Sequence, residues 1–246
     1  MCGLTRTTRT TIIEDIDVPP SELLTIKSPY TRRTVLLGTV SGAAMALFGV
    51  PALAQKKGSA PTELDIKELM QAGPLPDLAM GKEDAPVTIV EYASMTCGHC
   101  ATFHNTVFPK LKEKYVDTGK VRFIMREFPL DNLAAAASML ARCAGGDKTY
   151  PLIEVLFQKQ DQWAFVRGNP VPELFKFAKQ AGFTQESFDK CLTDQTLLDQ
   201  VTGVRTRASE KFNVSSTPTF FINGKRLQDA PTLDSFDKVL APLLKA

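Results

Sequence analysis

Between Val87 and His104 the chain reads VTIVEYASMTCGHCATFH. Val87, Ile89, Val90 and Tyr92 make an apolar run that suits a strand buried on both faces. A short polar break follows, then Cys97-Gly98-His99-Cys100, then a segment with helical spacing. A strand that delivers Cys-x-x-Cys to the start of a helix is the arrangement of a redox-active dithiol, because two intervening residues let the sulfurs meet in a small ring. The helix start adds free backbone N–H groups and the positive end of the dipole, both of which favour a thiolate. Cys97, at that end, is the expected nucleophile. Cys100, one turn inside and more buried, is the expected resolving cysteine.

Two blander readings compete. Half of a zinc site is one, but structural zinc takes four ligands, and the chain has two histidines, His99 and His104, with no second CxxC. A permanently closed structural disulfide is the other. The Gly-His pair argues against it, since an ionisable residue between the cysteines helps to hold a thiolate.

The 246 residues, 43% hydrophobic, suffice for one large domain or a domain with an insertion. A net charge of +2 with no charged block gives no sign of nucleic-acid binding. No apolar stretch reaches transmembrane length. Residues 1–54 read as an export signal: a polar lead, Thr31-Arg32-Arg33, a moderately apolar Val35–Val50, then Ala52-Leu53-Ala54 with cleavage expected after Ala54. Paired arginines before a weak apolar core fit twin-arginine export, with the general secretory route as the alternative. A start codon placed too early is another reading of the polar lead. Export to the periplasm removes Cys2 and leaves Cys97, Cys100, Cys143 and Cys191, an even number in an oxidising compartment.

Residues 55–76 read as a linker and a short helix over Glu63–Gln71. Asp77–Ala85 is a turn-rich lead-in. The helix after the motif carries Phe103, Val107, Phe108 and Leu111 and stops near Gly119, a C-cap residue. Val121–Phe128 alternates apolar and charged residues, which predicts a strand with one solvated face; with the first strand it makes a parallel βαβ unit. Residues 132–211 are helical by spacing: Leu133–Ala144, Tyr150–Gln162, Pro172–Ala181, Gln185–Thr193 and Leu197–Phe212. This insertion is expected to carry its own core. Thr219–Ile222 returns to strand chemistry, Asn223-Gly224 is a two-residue hairpin turn, Lys225–Leu227 is the return strand, and Leu233–Leu244 closes the chain as a helix. The expected domains are thus residues 77–131 and 212–246 as two parts of one α/β fold, around a helical insertion at 132–211.

Thr217-Pro218 stands directly before that late strand, where proline cannot donate to a ladder. CxxC, a helical stretch, then Thr-Pro-Thr-Phe-Phe-Ile-Asn-Gly resembles the DsbA-type thiol:disulfide oxidoreductases from about Asp77 to the C-terminus. The resemblance implies a thioredoxin fold with an inserted helical domain and Pro218 as a cis proline facing the CxxC, with Thr217 and Pro218 binding substrate backbone. It implies that Glu91, a charged residue on an apolar strand, is the buried acid that moves protons at Cys100, and that His99 is the histidine between the cysteines. Gly98 departs from the proline of the best-known members, and Gly-His with Thr217 is closer to isomerase-like ones. The implied activity introduces disulfides into reduced or misfolded exported proteins. It needs no cofactor or metal, and a DsbB-type membrane reoxidant is implied; the protein is expected to act as a monomer. An isomerase or reductase of the same fold, and a periplasmic copper-binding protein, are the alternatives. His104, five residues beyond His99, reads as structural, and Trp163 as packing. Cys143 and Cys191 are expected to form a structural disulfide, stabilising by roughly 3–4 kcal/mol for a loop of about fifty residues. Two separate buried thiols are the competing reading.

Overall fold

The structure, a computed structural model, describes residues 63–71 and 73–245. The export signal, its cleavage point, Cys2 and the linker as far as Thr62 lie outside the described residues. A five-stranded sheet in the order β1-β3-β2-β4-β5 forms the centre. Its strands are β1 (Leu78–Met80), β2 (Val87–Ala93), β3 (Val121–Glu127), β4 (Thr219–Ile222) and β5 (Lys225–Arg226). β2 and β3 are parallel, with Glu91 opposite Met125; the other pairings are antiparallel, with Glu91 opposite Phe220 on the far side. This is the expected thioredoxin-like fold with helices inserted between β3 and β4.

The connection from β2 to β3 is α2 (Gly98–Thr106), α3 (Phe108–Leu111) and a π-helical turn at Lys112–Val116. Pro109 near the start of α3 marks the break with α2. Gly119, with φ +73°, ends the run, as its N–H reaches Val116 O and that of Lys120 reaches Tyr115 O. After β3 come α4 (Asn132–Ala144), α5 (Thr149–Gln158), α6 (Val171–Gln180), α7 (Gln185–Leu192) and α8 (Gln195–Phe212). A short α1 (Ile66–Leu69) precedes the sheet and α9 (Leu233–Leu243) follows it. At the β4–β5 hairpin Asn223 and Gly224 both take positive φ, as a primed turn requires. A Cβ at Gly224 would lie 2.5 Å from Leu64 O.

Side-chain alternation along β2 sorts the core into two layers. Val90 and Tyr92, with Ile124 and Phe128, pack under Leu69 of α1 and Val204, Ala208 and Phe212 of α8. Val87, Ile89 and Ala93 face the other way, against Phe103, Phe108 and Phe236, and Glu91 shares their parity. That second layer runs without a break into Leu152, Leu156, Trp163 and Phe188 of the inserted helices. The expectation that the insertion carries a separate core is therefore corrected: its apolar faces are completed by the sheet and by α2.

Three further expectations are revised. The lead-in at 77–85 contains a strand, β1, held by pairing with β3. β3 is not solvated on one face, because Arg126 and Glu127 are both buried. Arg126 donates to Asp77 at 2.7 and 3.0 Å, to Leu69 O at 2.8 Å and to Tyr92 Oη at 3.0 Å; Glu127 accepts from Arg142 Nη2 at 2.9 Å. Buried charges persist when paired and hydrogen-bonded like this. Finally, Cys143, which the competing reading of two separate thiols has buried, is exposed near the end of α4.

Candidate active site

Leaving β2 at Ala93, the chain turns through Ser94-Met95-Thr96 and enters α2 with Cys97 as N-cap residue (φ −83°, ψ 116°). Three contacts hold this turn. Cys97 N–H donates to Ser94 O at 3.1 Å. Thr96 Oγ1 donates to Asp131 Oδ2 at 2.7 Å, and Asp131 also caps α4 through Ala134 N–H at 2.7 Å. Gln160, buried beyond α5, donates from Nε2 to Met95 O at 2.8 Å and to Cys97 O at 3.2 Å. The inserted helices thus hold the dithiol turn from two directions. Sequence reasoning missed Gln160, and no local pattern marks it, because both acceptors are backbone carbonyls more than sixty residues away.

An N-cap side chain lies beside the unpaired N–H groups of the first turn. Here that side chain is a sulfur, and the Cys97 thiol is pulled down from 9.0 to about 5. A hydrogen bond from the Cys100 thiol contributes most; burial opposes the shift; the Thr217 hydroxyl and the backbone N–H groups of Cys100 and His99 add to it. Cys100 moves the other way. Its thiol is pushed well above the ordinary range, first by burial, then by its hydrogen bond to Cys97 and by the negative charge of Glu91. Cys97 is 8% exposed and Cys100 0%. Both are free thiols.

The Thr217–Pro218 peptide bond is cis, and Thr217 O lies 3.4 Å from Cys97 Sγ. Pro218 and Thr217 are half-buried beside the dithiol. Thr217 Oγ1 is buried and has no hydrogen-bond partner, so it is free to serve the Cys97 thiolate, which it helps to pull down. His99 is exposed, and among the described residues its imidazole makes no hydrogen bond or ion pair; its backbone N–H acts on Cys97.

Glu91 is 0% exposed, on the face of β2 that looks toward α2. Its Oε2 lies 2.8 Å from His104 Nε2, and its Oε1 has no hydrogen-bond partner. His104, 6% exposed, stacks on Phe157 with ring centroids 4.4 Å apart. The sequence did hold the signal for His104. Four residues separate it from Cys100, so the two lie on one helix face; comparing it with His99, five residues away, hides this.

Away from this cluster, Cys143 and Cys191 are disulfide-bonded between α4 and α7, with Cα atoms 6.2 Å apart. Trp163 is buried and donates to Leu156 O at 2.8 Å, so it packs within the inserted helices. Among the described residues no group of three or more His, Cys, Asp or Glu side chains is placed to hold a metal ion.

A family model described as Thioredoxin matches residues 75–241. A Rickettsia bellii protein named for protein-disulfide oxidoreductase activity is 35% identical over 155 residues, 62% of this chain and 59% of that protein. The chain therefore spans less than two thirds of that relative's length. Disulfide bond formation protein D of Bacillus subtilis is 28% identical over 172 residues, 68% of this chain and 76% of that protein. Among solved structures, alpha-DsbA1 of Wolbachia pipientis superposes with a TM-score of 0.66 at 32% identity, covering 74% of this chain and 96% of that one.

Proposed function

Because the chain belongs to this thioredoxin family and its relatives are DsbA-like, we propose that it is an exported thiol:disulfide oxidoreductase that introduces disulfides into periplasmic proteins. The observation that carries the reading is the opposed perturbation of two thiols one helical turn apart: Cys97 pulled down to about 5, Cys100 pushed up. A pair so divided presents one sulfur to substrates and keeps the other sealed.

In the forward reaction a substrate thiolate attacks Cys97 Sγ of the closed Cys97–Cys100 bond. A mixed disulfide forms, the enzyme S–S bond breaks, and its electron pair departs on Cys100. A second substrate thiolate then attacks the substrate sulfur of the mixed disulfide, and Cys97 leaves as thiolate. The substrate loses two electrons and the enzyme gains them. A low-pKa thiol is a fast leaving group, so this release step gains from the Cys97 environment. Thr217 and Pro218, beside Cys97, are the proposed contact for substrate backbone. A membrane-bound reoxidant of the DsbB type would return the pair to the disulfide.

The test is oxidation of a reduced two-cysteine peptide by the oxidised protein. Cys97→Ser is expected to abolish turnover, and Cys100→Ser to accumulate mixed disulfides. Equal alkylation rates of Cys97 and Cys100 at about pH 6 would contradict a Cys97 thiol pulled down to about 5. The Thr217 hydroxyl next to Cys97 favours one second reading, an isomerase of the same fold. An equilibrium against a glutathione series separates the two, a strongly oxidising poise supporting the oxidase.

A further inference from the structure

We propose that Gln160 is a positioning residue for thiol–disulfide exchange: its side-chain amide ties the backbone on either side of Thr96 to the inserted helices, and so keeps Cys97 Sγ in place over the first turn of α2. This rests on the oxidoreductase reading above.

The donor stands on a rigid base. α5 stops at Gln158, and Lys159 N–H still reaches Val155 O at 2.9 Å before the chain tightens into a 3₁₀ turn over Gln160–Gln162. Gln160 O accepts from Trp163 N–H at 3.2 Å and from Ala164 N–H at 2.8 Å. Trp163, 0% exposed, is itself tied to Leu156 O. The Gln160 side chain is buried, where an amide is costly unless its polar atoms are used. Its donors cross to another element: Nε2 lies 2.8 Å from Met95 O and 3.2 Å from Cys97 O.

The place of those acceptors gives the contact its consequence. Between the two carbonyls lie φ and ψ of Thr96 and of Cys97, the soft dihedrals of that stretch. One planar amide that bridges both carbonyls restrains these dihedrals together. From the other side Thr96 Oγ1 donates to Asp131 Oδ2 at 2.7 Å, and Cys97 N–H closes the turn on Ser94 O at 3.1 Å. ψ of Cys97 decides whether its sulfur lies beside the N–H groups that follow it. The Cys100 thiol first, then the Thr217 hydroxyl and the N–H groups of Cys100 and His99, draw the Cys97 thiol down against burial. Glu91 on β2 faces the pair through Cys100, and Asp131 at the start of α4 faces it through Thr96. Gln160 hydrogen-bonds only the two carbonyls, so it acts on the sulfur through placement. Being uncharged, it can be replaced by an apolar side chain without altering any charge near Cys97.

Placement matters most at release. A second substrate thiolate attacks the substrate sulfur of the mixed disulfide, that S–S bond breaks, and its electron pair leaves on Cys97 Sγ. Donors stabilise the developing thiolate fully only if they are aligned before the charge appears. A turn free to rotate would lose part of that stabilisation to reorientation.

The experiment compares wild type with Gln160→Met, which is unbranched and similar in length but has no donor. Two readouts are taken: ultraviolet titration of the Cys97 thiolate in the reduced protein, and equilibration with glutathione buffers from about pH 4 to about pH 8. The titration midpoint is expected to rise from about 5 to about 6. At about pH 7 the equilibrium should move about tenfold toward the oxidised protein, because the reduced form loses thiolate stabilisation. At about pH 4, where Cys97 is protonated in both proteins, the difference should vanish. Tyr115→Ala is the control for lost stability: Tyr115 is buried in the π-helical turn and donates to Asp237 at 2.6 Å, and its loss should leave the midpoint unmoved. A wild-type midpoint in Gln160→Met, or a displacement equal at every pH, overturns the positioning role however much stability is lost. If Gln160→Met does not fold, Gln160→Asn, which keeps the amide but is one methylene shorter, decides the question by the same readouts. Failure of the wild-type protein to oxidise a reduced two-cysteine peptide would refute the oxidoreductase reading, and the titration would still decide whether Gln160 places Cys97.

Discussion

The opposed thiols determine how the reduction potential of the Cys97–Cys100 pair must vary with pH. With Cys97 at about 5 and Cys100 pushed up, the reduced pair between about pH 5 and pH 8 is one thiolate and one thiol. Reduction then takes up two electrons and one proton, and the potential should fall by about 30 mV per pH unit. Below pH 5 both sulfurs are protonated and the slope should double to about 60 mV. An ordinary dithiol, with both groups near 9, keeps the steeper slope throughout this range. Over the three units from pH 5 to pH 8 the two behaviours diverge by about 90 mV, or about 4 kcal/mol in favour of the reduced protein. The sign is that of a depressed folded-state value: the stabilisation is complete above about pH 9, and is lost as the pH falls through 5. The assay is equilibration against glutathione buffers at half-unit pH steps, reading the reduced fraction by alkylation. A slope of about 60 mV persisting to pH 8 would refute the assignment of Cys97 as a resting thiolate.

Other substitutions test the surroundings. Thr217→Val keeps the shape but removes the hydroxyl beside Cys97. Losing a hydrogen bond to a charged group, about 1.5–3 kcal/mol, should raise the Cys97 pKa by one to two units, seen as a shifted ultraviolet thiolate titration and a less oxidising potential. Arg142→Leu strands the buried Glu127 carboxylate, and urea unfolding should show a loss of about 3–5 kcal/mol. Replacing both Cys143 and Cys191 by alanine opens a loop of sequence separation 48 and should cost roughly 3–4 kcal/mol in the same assay, leaving the slope of potential against pH intact.

How far these features could be read in advance follows the range of the interactions behind them. β2 and the CxxC were legible because strand burial and the two-residue ring are local properties. β1 was not: Leu78-Ala79-Met80 sits among turn residues and becomes a strand only by pairing with β3. The charges of β3 misled for a related reason, since Asp77 and Arg142, which bury Arg126 and Glu127, lie 49 and 15 residues away. The five inserted helices were readable one by one, but their shared core with α2 and the sheet is a tertiary fact that periodicity does not contain. Glu91 stood out because a carboxylate on an apolar strand is costly. His104 did not, although the spacing that pairs it with Cys100 is itself local.

The burial that makes Cys100 a sheltered thiol also creates a kinetic problem. A thiolate whose conjugate acid is weak is a poor leaving group. Opening the Cys97–Cys100 bond therefore requires the less favourable sulfur to depart, whereas releasing substrate from the mixed disulfide uses the favourable one. Sealing Cys100 prevents substrates from attacking at the wrong sulfur but removes water as a proton source. We propose that Glu91, buried on β2 in the layer facing α2, meets that need. The N-cap position of Cys97 and the sealing of Cys100 are thus linked requirements. With the chemistry confined to Cys97, at 8% exposure, the 0% exposed sulfur of Cys100 has no direct access to bulk water.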